Sequence, residues 1–214
     1  TRLTAGETYT VRELSAPAGF VIAKPFDFIV ADTSAVQVVT CKNEPTEMII
    51  DKRDRATGEP LAGMVFEIRL DGEPLSFRDA GGGVYRMGGS ECRQVTTGED
   101  GLARIQGLPA GLYEIVETAA PGFRLADNAR FADLKGEHGP DSPYRLEWFN
   151  DALRISVIKI DADTNVRLSG VHFTIEREGG DVLTFREEDG ICRAASDGSP
   201  DLVTDETGRF TILG

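Results

Sequence analysis

One motif occurs twice in this chain, about a hundred positions apart. Tyr9–Phe20 reads Tyr-Thr-Val-Arg-Glu-Leu-Ser-Ala-Pro-Ala-Gly-Phe, and Tyr113–Phe123 reads Tyr-Glu-Ile-Val-Glu-Thr-Ala-Ala-Pro-Gly-Phe. Because side chains alternate along a strand, the glutamate of each copy, Glu13 or Glu117, shares a face with the tyrosine. The chain is therefore a tandem repeat, and a glutamate on an apolar strand face is its repeated unusual feature.

A second pattern surrounds two lysines. Lys52 and Lys159 each begin the sequence Lys-x-Asp-x-x-Thr, and a phenylalanine, Phe66 or Phe173, lies fourteen residues after each lysine. The match continues downstream to a glycine-containing turn. The C-terminal part of the chain thus repeats the first half of the unit that contains Lys52, and the N-terminal part repeats its second half.

The repeats divide the chain into three predicted segments. Residues 46–151 form one complete domain, residues 1–45 the C-terminal half of a domain, and residues 152–214 the N-terminal half. Short apolar runs separated by Gly, Pro, Asp and Ser indicate strands, and no helical period of useful length is present. We therefore predict an all-β chain of tandem antiparallel β-sandwiches, one complete and one split between the chain ends.

Two strand predictions distinguish the copies. Val36–Cys41 is predicted to be a strand in the first copy, and the face with Val39, Cys41 and Asn43 repeats that with Leu146, Trp148 and Asn150 in the complete domain. Phe26 and Phe28 mark another strand in the first copy, and the second copy lacks a clear counterpart of that Phe-x-Phe strand.

The two half-domains are complementary in length. Lys52 precedes Asn150 by 98 positions in the complete domain. When the end of one copy of the chain is joined to the start of another, Lys159 precedes Asn43 by the same 98 positions. Either the chain is a window cut from a longer tandem array, which we favour, or neighbouring chains complete each other's split domain by strand complementation. Unpaired apolar strands at both ends would otherwise expose sheet edges and invite association.

Three polar residues of the complete domain end otherwise apolar strand faces. By the alternation of side chains, Lys52, Glu117 and Asn150 each follow apolar residues on the same face of their strands. The half-domains repeat the arrangement with the corresponding set, Lys159, Glu13 and Asn43. We therefore predict that a lysine, a glutamate and an asparagine point inward together.

Burial gives such a set two possible outcomes. The plain outcome is a salt bridge between lysine and glutamate, since an unpaired buried charge costs several kcal/mol. The chemical outcome follows from desolvation, which lowers the pKa of a lysine and raises that of a glutamate. A neutral amine can attack the side-chain carbonyl carbon of asparagine, while a protonated glutamate stabilises the intermediate and transfers protons. Ammonia then leaves and an amide cross-link remains.

The ordered motifs resemble the collagen-adhesin B-type domains, also called SpaA-like or prealbumin-like, of Gram-positive surface adhesins and pilins. The shared pattern is Lys-x-Asp-x-x-Thr, then Leu-x-Gly-x-x-Phe at Leu61–Phe66 and Leu168–Phe173, Thr-x-x-x-Gly, the Tyr-x-x-x-Glu motif with Ala-Pro, and a closing Asn. The resemblance covers essentially the whole chain. It implies compact β-sandwiches that stack as stalks and commonly form an autocatalytic Lys–Asn isopeptide bond assisted by a buried Glu.

The resemblance also implies which residues react. In the complete domain Lys52 and Asn150 would be joined with Glu117 as proton shuttle, although Asp151 next to Asn150 leaves the register of the last strand open. In the split domain the corresponding set can meet only across a chain junction or in an uncut parent; it consists of Lys159, Asn43 and Glu13.

Composition excludes other classes of function. A net charge of −13 and a pI near 4.6 argue against nucleic-acid binding, which needs clustered Lys and Arg. No apolar run approaches the eighteen or so residues of a membrane span and no leader opens the chain, although both could have been lost from a longer parent. No cofactor is predicted. Three widely spaced cysteines fit no metal or disulfide framework, and a Cys41–Cys192 disulfide in the composite domain remains open.

No metal site is predicted either. Asp161, Asp163 and Asn165 superficially suggest a calcium loop, but Val166 stands where glycine is needed, so we predict a turn. The only two histidines, His138 and His172, are too isolated for a zinc site or a catalytic triad.

We predict a non-enzymatic structural segment of an extracellular fibre, attached to the cell surface or wall in the parent protein. Each sandwich would be locked by an internal Lys–Asn bond, and its partners would be neighbouring repeats or copies of the chain, head to tail. The alternative is an adhesin module that binds host matrix or glycan through loops. That function would require an exposed aromatic or apolar patch, whereas Trp148, the single tryptophan, is predicted to point inward.

Overall fold

The computed structural model describes residues 2–125 and 129–214, and the regular elements in this part of the chain are β-strands. No helix among the described residues is long and apolar enough to cross a lipid bilayer. The chain divides into two compact units, Thr1–Ala119 with Leu125–Phe149 and Ala120–Arg124 with Asn150–Gly214. The all-β prediction is confirmed.

Eleven strands of the described residues lie in the first unit, and a twelfth, β12, ends one residue inside the second unit, at Asn150. In chain order they are β1 (Thr8–Val11), β2 (Phe26–Ile29), β3 (Glu47–Asp54), β4 (Val65–Leu70), β5 (Glu73–Pro74), β6 (Phe77–Gly81), β7 (Val84–Met87), β8 (Gln94–Thr96), β9 (Leu102–Gln106), β10 (Gly111–Ala119), β11 (Arg130–Leu134) and β12 (Tyr144–Asn150).

Strands β3 to β12 fold as a sandwich of two sheets. One sheet has the order β12-β3-β9-β7-β6, and the other has the order β11-β10-β4-β5 with β8 beside β4. The sheets pack face to face through buried apolar side chains. The Phe66 ring of β4 lies 5.3 Å from the Trp148 ring of β12, measured between centroids, and both residues are buried. The predicted sandwich is confirmed.

One strand pair of this sandwich departs from the antiparallel prediction. β7 and β9 are parallel neighbours, with Tyr85 opposite Ile105. Between them the chain passes through β8, which pairs with β4 in the other sheet, so it returns to the first sheet in the same direction. Alternation of apolar residues reports a strand and its faces, but it does not report strand direction.

Strand β11 corrects one sequence prediction. No clear counterpart of the Phe26 and Phe28 strand is predicted in the second copy, yet β11 pairs along β10 in a regular antiparallel ladder. Its inward residues are Ala132 and Leu134, which are fully buried, whereas Phe131 faces outward. The strand was missed because Ala132 stands at the position of Phe28 in β2 and Arg130 at the position of Phe26, so no Phe-x-Phe pattern marks it.

Residues 2–45 form one short ladder, β1 with β2, and an irregular remainder. The predicted strand Val36–Cys41 does not form, and Val36 and Val38 are 90% and 81% exposed. Its counterpart in the sandwich, β12, receives its hydrogen bonds from β3. Residues 2–45 contain no counterpart of β3, so this strand prediction was wrong for lack of a neighbouring strand.

The second unit contains the remaining strands of the described residues. They are β13 (Arg154–Ile158), β14 (His172–Phe173), β15 (Phe185–Glu188), β16 (Ile191–Ala194), β17 (Leu202–Val203) and β18 (Arg209–Leu213). One sheet has the order β13-β18-β16-β15, and β14 pairs with β17. A small core fills the space between them, consisting of Phe185, Cys192, Leu202, Phe210 and Ile212.

Equivalent backbone hydrogen bonds recur in the two units. The Lys52 amide donates to the Gly101 carbonyl at 2.9 Å, and the Lys159 amide donates to the Gly208 carbonyl at 2.8 Å. β16 and β18 are parallel neighbours, as β7 and β9 are. The sequence repeat is therefore a repeat of backbone geometry, whereas the predicted domain boundaries remain a prediction.

Candidate functional site

Two of the predicted polar residues meet between the sheets of the sandwich. Lys52 lies near the end of β3 and Glu117 near the end of β10, on strands of different sheets. The Lys52 Nζ lies 2.9 Å from the Glu117 Oε1, and both side chains are fully buried. Alternation along the strands turns both side chains inward, and an irregularity after Glu117 shifts the ladder between β10 and β4.

Aromatic rings surround the buried amine. The Lys52 Nζ lies 5.1 Å from the centroid of the Trp148 ring and 6.0 Å from that of the Phe66 ring. The Arg130 guanidinium also lies over Trp148, with its Cζ 4.9 Å from the ring centroid. Cation–π contacts return about 0.5–2 kcal/mol, less than the several kcal/mol that desolvation of an ammonium costs. The charged form of Lys52 therefore depends on Glu117.

Burial makes Lys52 easier to deprotonate. Desolvation is the largest effect and lowers the pKa of Lys52 from 10.5 to about 8, although the hydrogen bond and charge of Glu117 act in the opposite direction. The positive charges of Arg130 and Arg55 lower the pKa further. The neutral, nucleophilic form of the amine is therefore far more accessible near neutral pH than in a solvated lysine.

Asn150 is the last residue of β12, the strand that neighbours β3 in the sheet. It lies two residues after Trp148, on the same strand face by alternation, and it is 3% exposed. Asp151, in contrast, is exposed. The buried residue at the end of this strand is therefore the asparagine, as the predicted register requires.

A second Glu–Asn arrangement lies in residues 2–45. The Asn43 Nδ2 donates to the Glu13 Oε2 at 2.6 Å and to the Val21 carbonyl at 3.0 Å, and the Ala23 amide donates to the same Glu13 oxygen at 2.6 Å. Glu13 and Asn43 are half-buried. Lys159 lies in the second unit, one residue beyond β13, and is exposed. The structure thus brings together two of the three residues predicted for the split domain.

A family model for the SpaA prealbumin-like fold domain matches residues 46–132. Residues 46–132 are a prealbumin-like fold domain of the SpaA type. The matched range contains Lys52 and Glu117 and ends within β11, before Asn150. Such domains are structural rather than enzymatic, in agreement with the expectation for this part of the chain. We call the sandwich built on this range, strands β3 to β12, the prealbumin-like domain.

Solved structures from Gram-positive bacteria are also similar. The Streptococcal ancillary pilin matches at 22% identity and a TM-score of 0.42, over 97% of this chain and 62% of its own. The Bacillus anthracis TIE protein matches at 24% identity and a TM-score of 0.45, over 97% of this chain and 34% of its own. The group B streptococcus pilus 2b backbone protein matches at 25% identity and a TM-score of 0.39, over 60% of this chain and 44% of its own. The chain spans about three fifths of the first protein and one third of the second. No curated protein matches the sequence.

One buried acid of the prealbumin-like domain was missed from the sequence. The Asp51 Oδ2 accepts a hydrogen bond from Arg145 at 2.6 Å, and its Oδ1 lies 2.9 Å from the Arg53 Nε. Asp51 is 3% exposed although it lies on the strand face opposite Lys52. Arg145 belongs to β12, so the ion pair joins β3 to β12 beside the candidate site. The alternation of side chains along β3 places Asp51 on the outward face. Only the pairing of β3 with β12 shows that its side chain is covered.

The predicted turn at Asp161 is confirmed. The Asp161 Oδ1 accepts hydrogen bonds from the Thr164 amide and hydroxyl, each at 2.8 Å, and from the Asp163 amide at 3.0 Å. Asn165 has a φ of 58°, which closes the turn in the left-handed region. Within residues 2–125 and 129–214, no group of three His, Cys, Asp or Glu side chains is arranged to hold a metal ion.

The cysteines and histidines take no part in the site. All three cysteines are free thiols, and they are Cys41, Cys92 and Cys192. His138 accepts a hydrogen bond from the Lys135 amide at 2.8 Å, and His172 lies exposed beside Asp201.

Proposed function

We propose that this chain is a structural segment of an extracellular surface fibre, in which an amide bond between Lys52 and Asn150 locks the prealbumin-like domain. The observation that supports it is the fully buried Lys52–Glu117 pair, 2.9 Å apart among aromatic rings. Neighbouring repeats or copies would be joined head to tail, and the parent protein would be held at the cell surface. The family match supports the structural role.

The buried pair is better suited to chemistry than to stability. Replacing a buried ion pair by apolar residues is often neutral or stabilising, so stability alone is a weak reason for it. Transfer of one proton from Lys52 to Glu117 leaves both groups neutral, which removes the cost of two buried charges. The lowered pKa of Lys52 makes its proton easier to lose. The product is a neutral amine beside a protonated carboxyl group.

The reaction then proceeds by nucleophilic acyl substitution. The Lys52 Nζ attacks the Asn150 Cγ, and the Glu117 carboxyl group donates a hydrogen bond to the amide oxygen as negative charge develops there. Glu117 then passes a proton from the attacking nitrogen to the departing amide nitrogen. The Cγ–Nδ2 bond breaks, ammonia leaves, and a secondary amide joins the two side chains. The mass of the chain falls by about 17 Da, the mass of ammonia.

The position of the bond gives it a mechanical function. β3 is the first strand of the prealbumin-like domain and β12 is the last, and the two are neighbours in one sheet. A bond between Lys52 and Asn150 would carry tension directly from one strand to the other. The sandwich between them would then remain folded under load.

Single-molecule stretching of the chain between terminal handles tests this function. The wild-type domain is expected to release none of the 98 positions between Lys52 and Asn150. Asn150→Ala is expected to release them, which adds roughly 320–350 Å of extended chain at 3.3–3.6 Å per residue. Asn43→Ala is the matched control and should leave the wild-type extension unchanged. A wild-type chain that extends as far as Asn150→Ala would contradict the proposal.

The alternative function, binding of host matrix or glycan through loops, gains no support from the tryptophan. Trp148, the single tryptophan, is 1% exposed and packs against Phe66.

A further inference from the structure

One charged residue lies on the inward face of β11. Alternation along the strand gives Arg130 the same face as Ala132 and Leu134, which are both fully buried. Arg130 is the first residue of the strand and is itself exposed, at the edge of the sandwich. The proposed reaction of Lys52 with Asn150 gives this arginine no role.

Arg130 makes two contacts with β12. Its Nη1 donates a hydrogen bond to the Glu147 carbonyl oxygen at 3.0 Å, and its Cζ lies 4.9 Å from the centroid of the Trp148 ring. β11 and β12 are the outer strands of their sheets, so these contacts join the two sheets at one edge of the sandwich. Asn150 follows Trp148 by two residues on the same strand face. Arg130 therefore holds the part of β12 that carries the asparagine.

The ring that Arg130 contacts also lies beside the reactive amine. The Lys52 Nζ is 5.1 Å from the centroid of the Trp148 ring, so the two cationic groups lie within about 10 Å of each other. Two positive charges at such a separation repel, and a guanidinium group stays charged in proteins. Burial is the largest cause of the lowered pKa of Lys52, and the charge of Arg130 lowers that pKa further. Arg130 thus disfavours the ammonium form of the lysine.

Two other charged groups act on the Lys52 amine, and each differs from Arg130. Glu117 on β10 acts in the opposite direction and stabilises the ammonium form. Arg55, which follows β3, acts in the same direction as Arg130, but its Cζ lies 5.8 Å from the ring centroid of Phe149. Phe149 points to the strand face opposite the site, whereas β4 and β12 contribute aromatic rings to the site. Arg130 is therefore the cation that contacts the site's own ring.

The repeat shows that an arginine is not needed for this strand to pair. Arg130 faces Ile115 across the ladder of β10 with β11, and Phe26 faces Val11 at the same place in the ladder of β1 with β2. An apolar side chain is thus compatible with this position of the ladder. The guanidinium group of Arg130 is a feature of the prealbumin-like domain and serves a purpose other than strand pairing.

We propose that Arg130 is a positioning residue for the reaction of Lys52 with Asn150. Its guanidinium group fixes Trp148 and the Glu147 backbone beside the lysine, and its charge disfavours the ammonium form of the nucleophile. This inference rests on the proposed function. Arg130 takes no part in bond making or breaking, and its contacts with β12 are the same before and after the ammonia has left.

The pH profile of cross-linking tests this role on the full chain. Chain collected from cells in denaturant is diluted into buffers of different pH, and the loss of about 17 Da is followed by mass spectrometry. The reaction needs one proton on the Lys52–Glu117 pair, so the rate should have a bell-shaped pH profile. In Arg130→Met the profile should move to higher pH by roughly 0.3–1 pH unit, because a nearby positive charge is lost. The maximal rate should fall about tenfold, because Trp148 is less well fixed.

Three further variants separate the charge of Arg130 from its contacts. Arg130→Lys keeps the charge but loses the planar group that stacks on the ring, so the profile should stay in place while the maximal rate falls. Arg130→Phe introduces the residue that the first copy has at this position and should reproduce the profile of Arg130→Met. Arg104→Met is the matched control, since Arg104 lies on β9 of the same sandwich and pairs with Asp100 at 2.7 Å. It should leave the profile unchanged.

A titration without the reaction gives a second measurement. In the Asn150→Ala chain no cross-link can form, and the Cε chemical shift of Lys52 reports its protonation by nuclear magnetic resonance. Arg130→Met in this chain should raise the pKa of Lys52, and Arg104→Met should not change it. An effect of Arg130 on folding alone would not move this titration.

The outcomes separate this inference from the proposed function. A wild-type chain that loses no ammonia at any pH would overturn the proposed function, and the role of Arg130 in the reaction with it. A wild-type chain that loses ammonia with the same pH profile and rate as Arg130→Met would overturn only the role of Arg130. A profile moved equally by Arg104→Met would show that any lost guanidinium group has this effect, which would also overturn it.

Discussion

The two glutamates of the repeat lie in different surroundings. In the prealbumin-like domain Glu117 meets Lys52 inside a closed sandwich, with neither side chain exposed. In residues 2–45 Glu13 meets Asn43 while both remain half-buried. The chain that follows Glu13 is thus sufficient to place the asparagine beside it, whereas full burial requires an opposing sheet. Only the site with the opposing sheet provides the desolvation that the proposed chemistry needs.

The largest expected effect is that of Glu117→Ala, because it leaves the buried ammonium of Lys52 without its carboxylate. Removing one partner of a buried ion pair costs about 3–5 kcal/mol, and loss of the proposed cross-link adds to this. Glu13→Ala should cost at most about 1.5 kcal/mol, since water can replace its hydrogen bonds. Urea titrations of both variants give the two free energies of unfolding. Equal losses would show that burial does not distinguish the sites.

Asn150→Ala should have the next largest effect. It removes the proposed cross-link and keeps the Lys52–Glu117 pair. Closing a loop of about 100 residues restricts the unfolded chain by about 4.7 kcal/mol in the chain-entropy model, so the free energy of unfolding should fall by that order. Calorimetry of Asn150→Ala and of the matched variant Asn43→Ala measures this loss of stability. A melting temperature lowered equally by both would contradict a bond confined to the prealbumin-like domain.

A smaller effect concerns the turn between Glu13 and Asn43. Gly19 has a φ of 82°, and a Cβ there would lie 2.4 Å from the Gly107 carbonyl oxygen. Gly6 has nearly the same φ, 84°, with nothing within 4 Å of a Cβ. Gly6→Ala should therefore cost about 1–2 kcal/mol of backbone strain, and Gly19→Ala should cost more. Hydrogen exchange of the backbone amides in residues 2–45 compares the two variants. Equal protection in both would show that the close approach of Gly19 to Gly107 does not stabilise residues 2–45.

A further effect is a pH dependence of the Asn150→Ala chain. The pKa of Lys52 is about 8 in the folded state and about 10.5 when unfolded, so between these values the unfolded chain binds the extra proton. The free energy of unfolding should therefore rise from pH 8 toward pH 10. Burial also raises the pKa of Tyr113 from 10.0 to about 12. Above pH 10 the unfolded chain therefore loses a proton that the folded chain keeps, which lowers the free energy of unfolding as the pH rises. The same rise after Lys52→Met would exclude Lys52 as its source.

The sequence predicted much of this comparison because the motif occurs twice. Alternation alone placed Lys52 and Glu117 on inward faces, and the repeat showed which polar residues belong together. Asn150 followed from the same alternation, since Trp148 precedes it by two residues on one face. These predictions succeeded because period-two patterns determine faces directly.

Other features depend on strand neighbours that the pattern does not report. Val36–Cys41 alternates like a strand, yet residues 2–45 hold no counterpart of β3 to pair with it. β11 lacks the aromatic signal of β2 and forms because β10 offers an edge. Burial of Asp51 requires Arg145 from β12, which lies 94 positions away. Each case needs the tertiary pairing of strands before the local sequence can be interpreted.

Mass spectrometry of the unfolded, protease-digested chain tests the central claim most directly. The account predicts a branched peptide in which Lys52 and Asn150 are joined, with a mass about 17 Da below the sum of its two parts. Glu117→Ala should abolish it, and Glu13→Ala should leave it intact. An intact chain at its full sequence mass, with Lys52 and Asn150 recovered in separate unmodified peptides, would contradict the account.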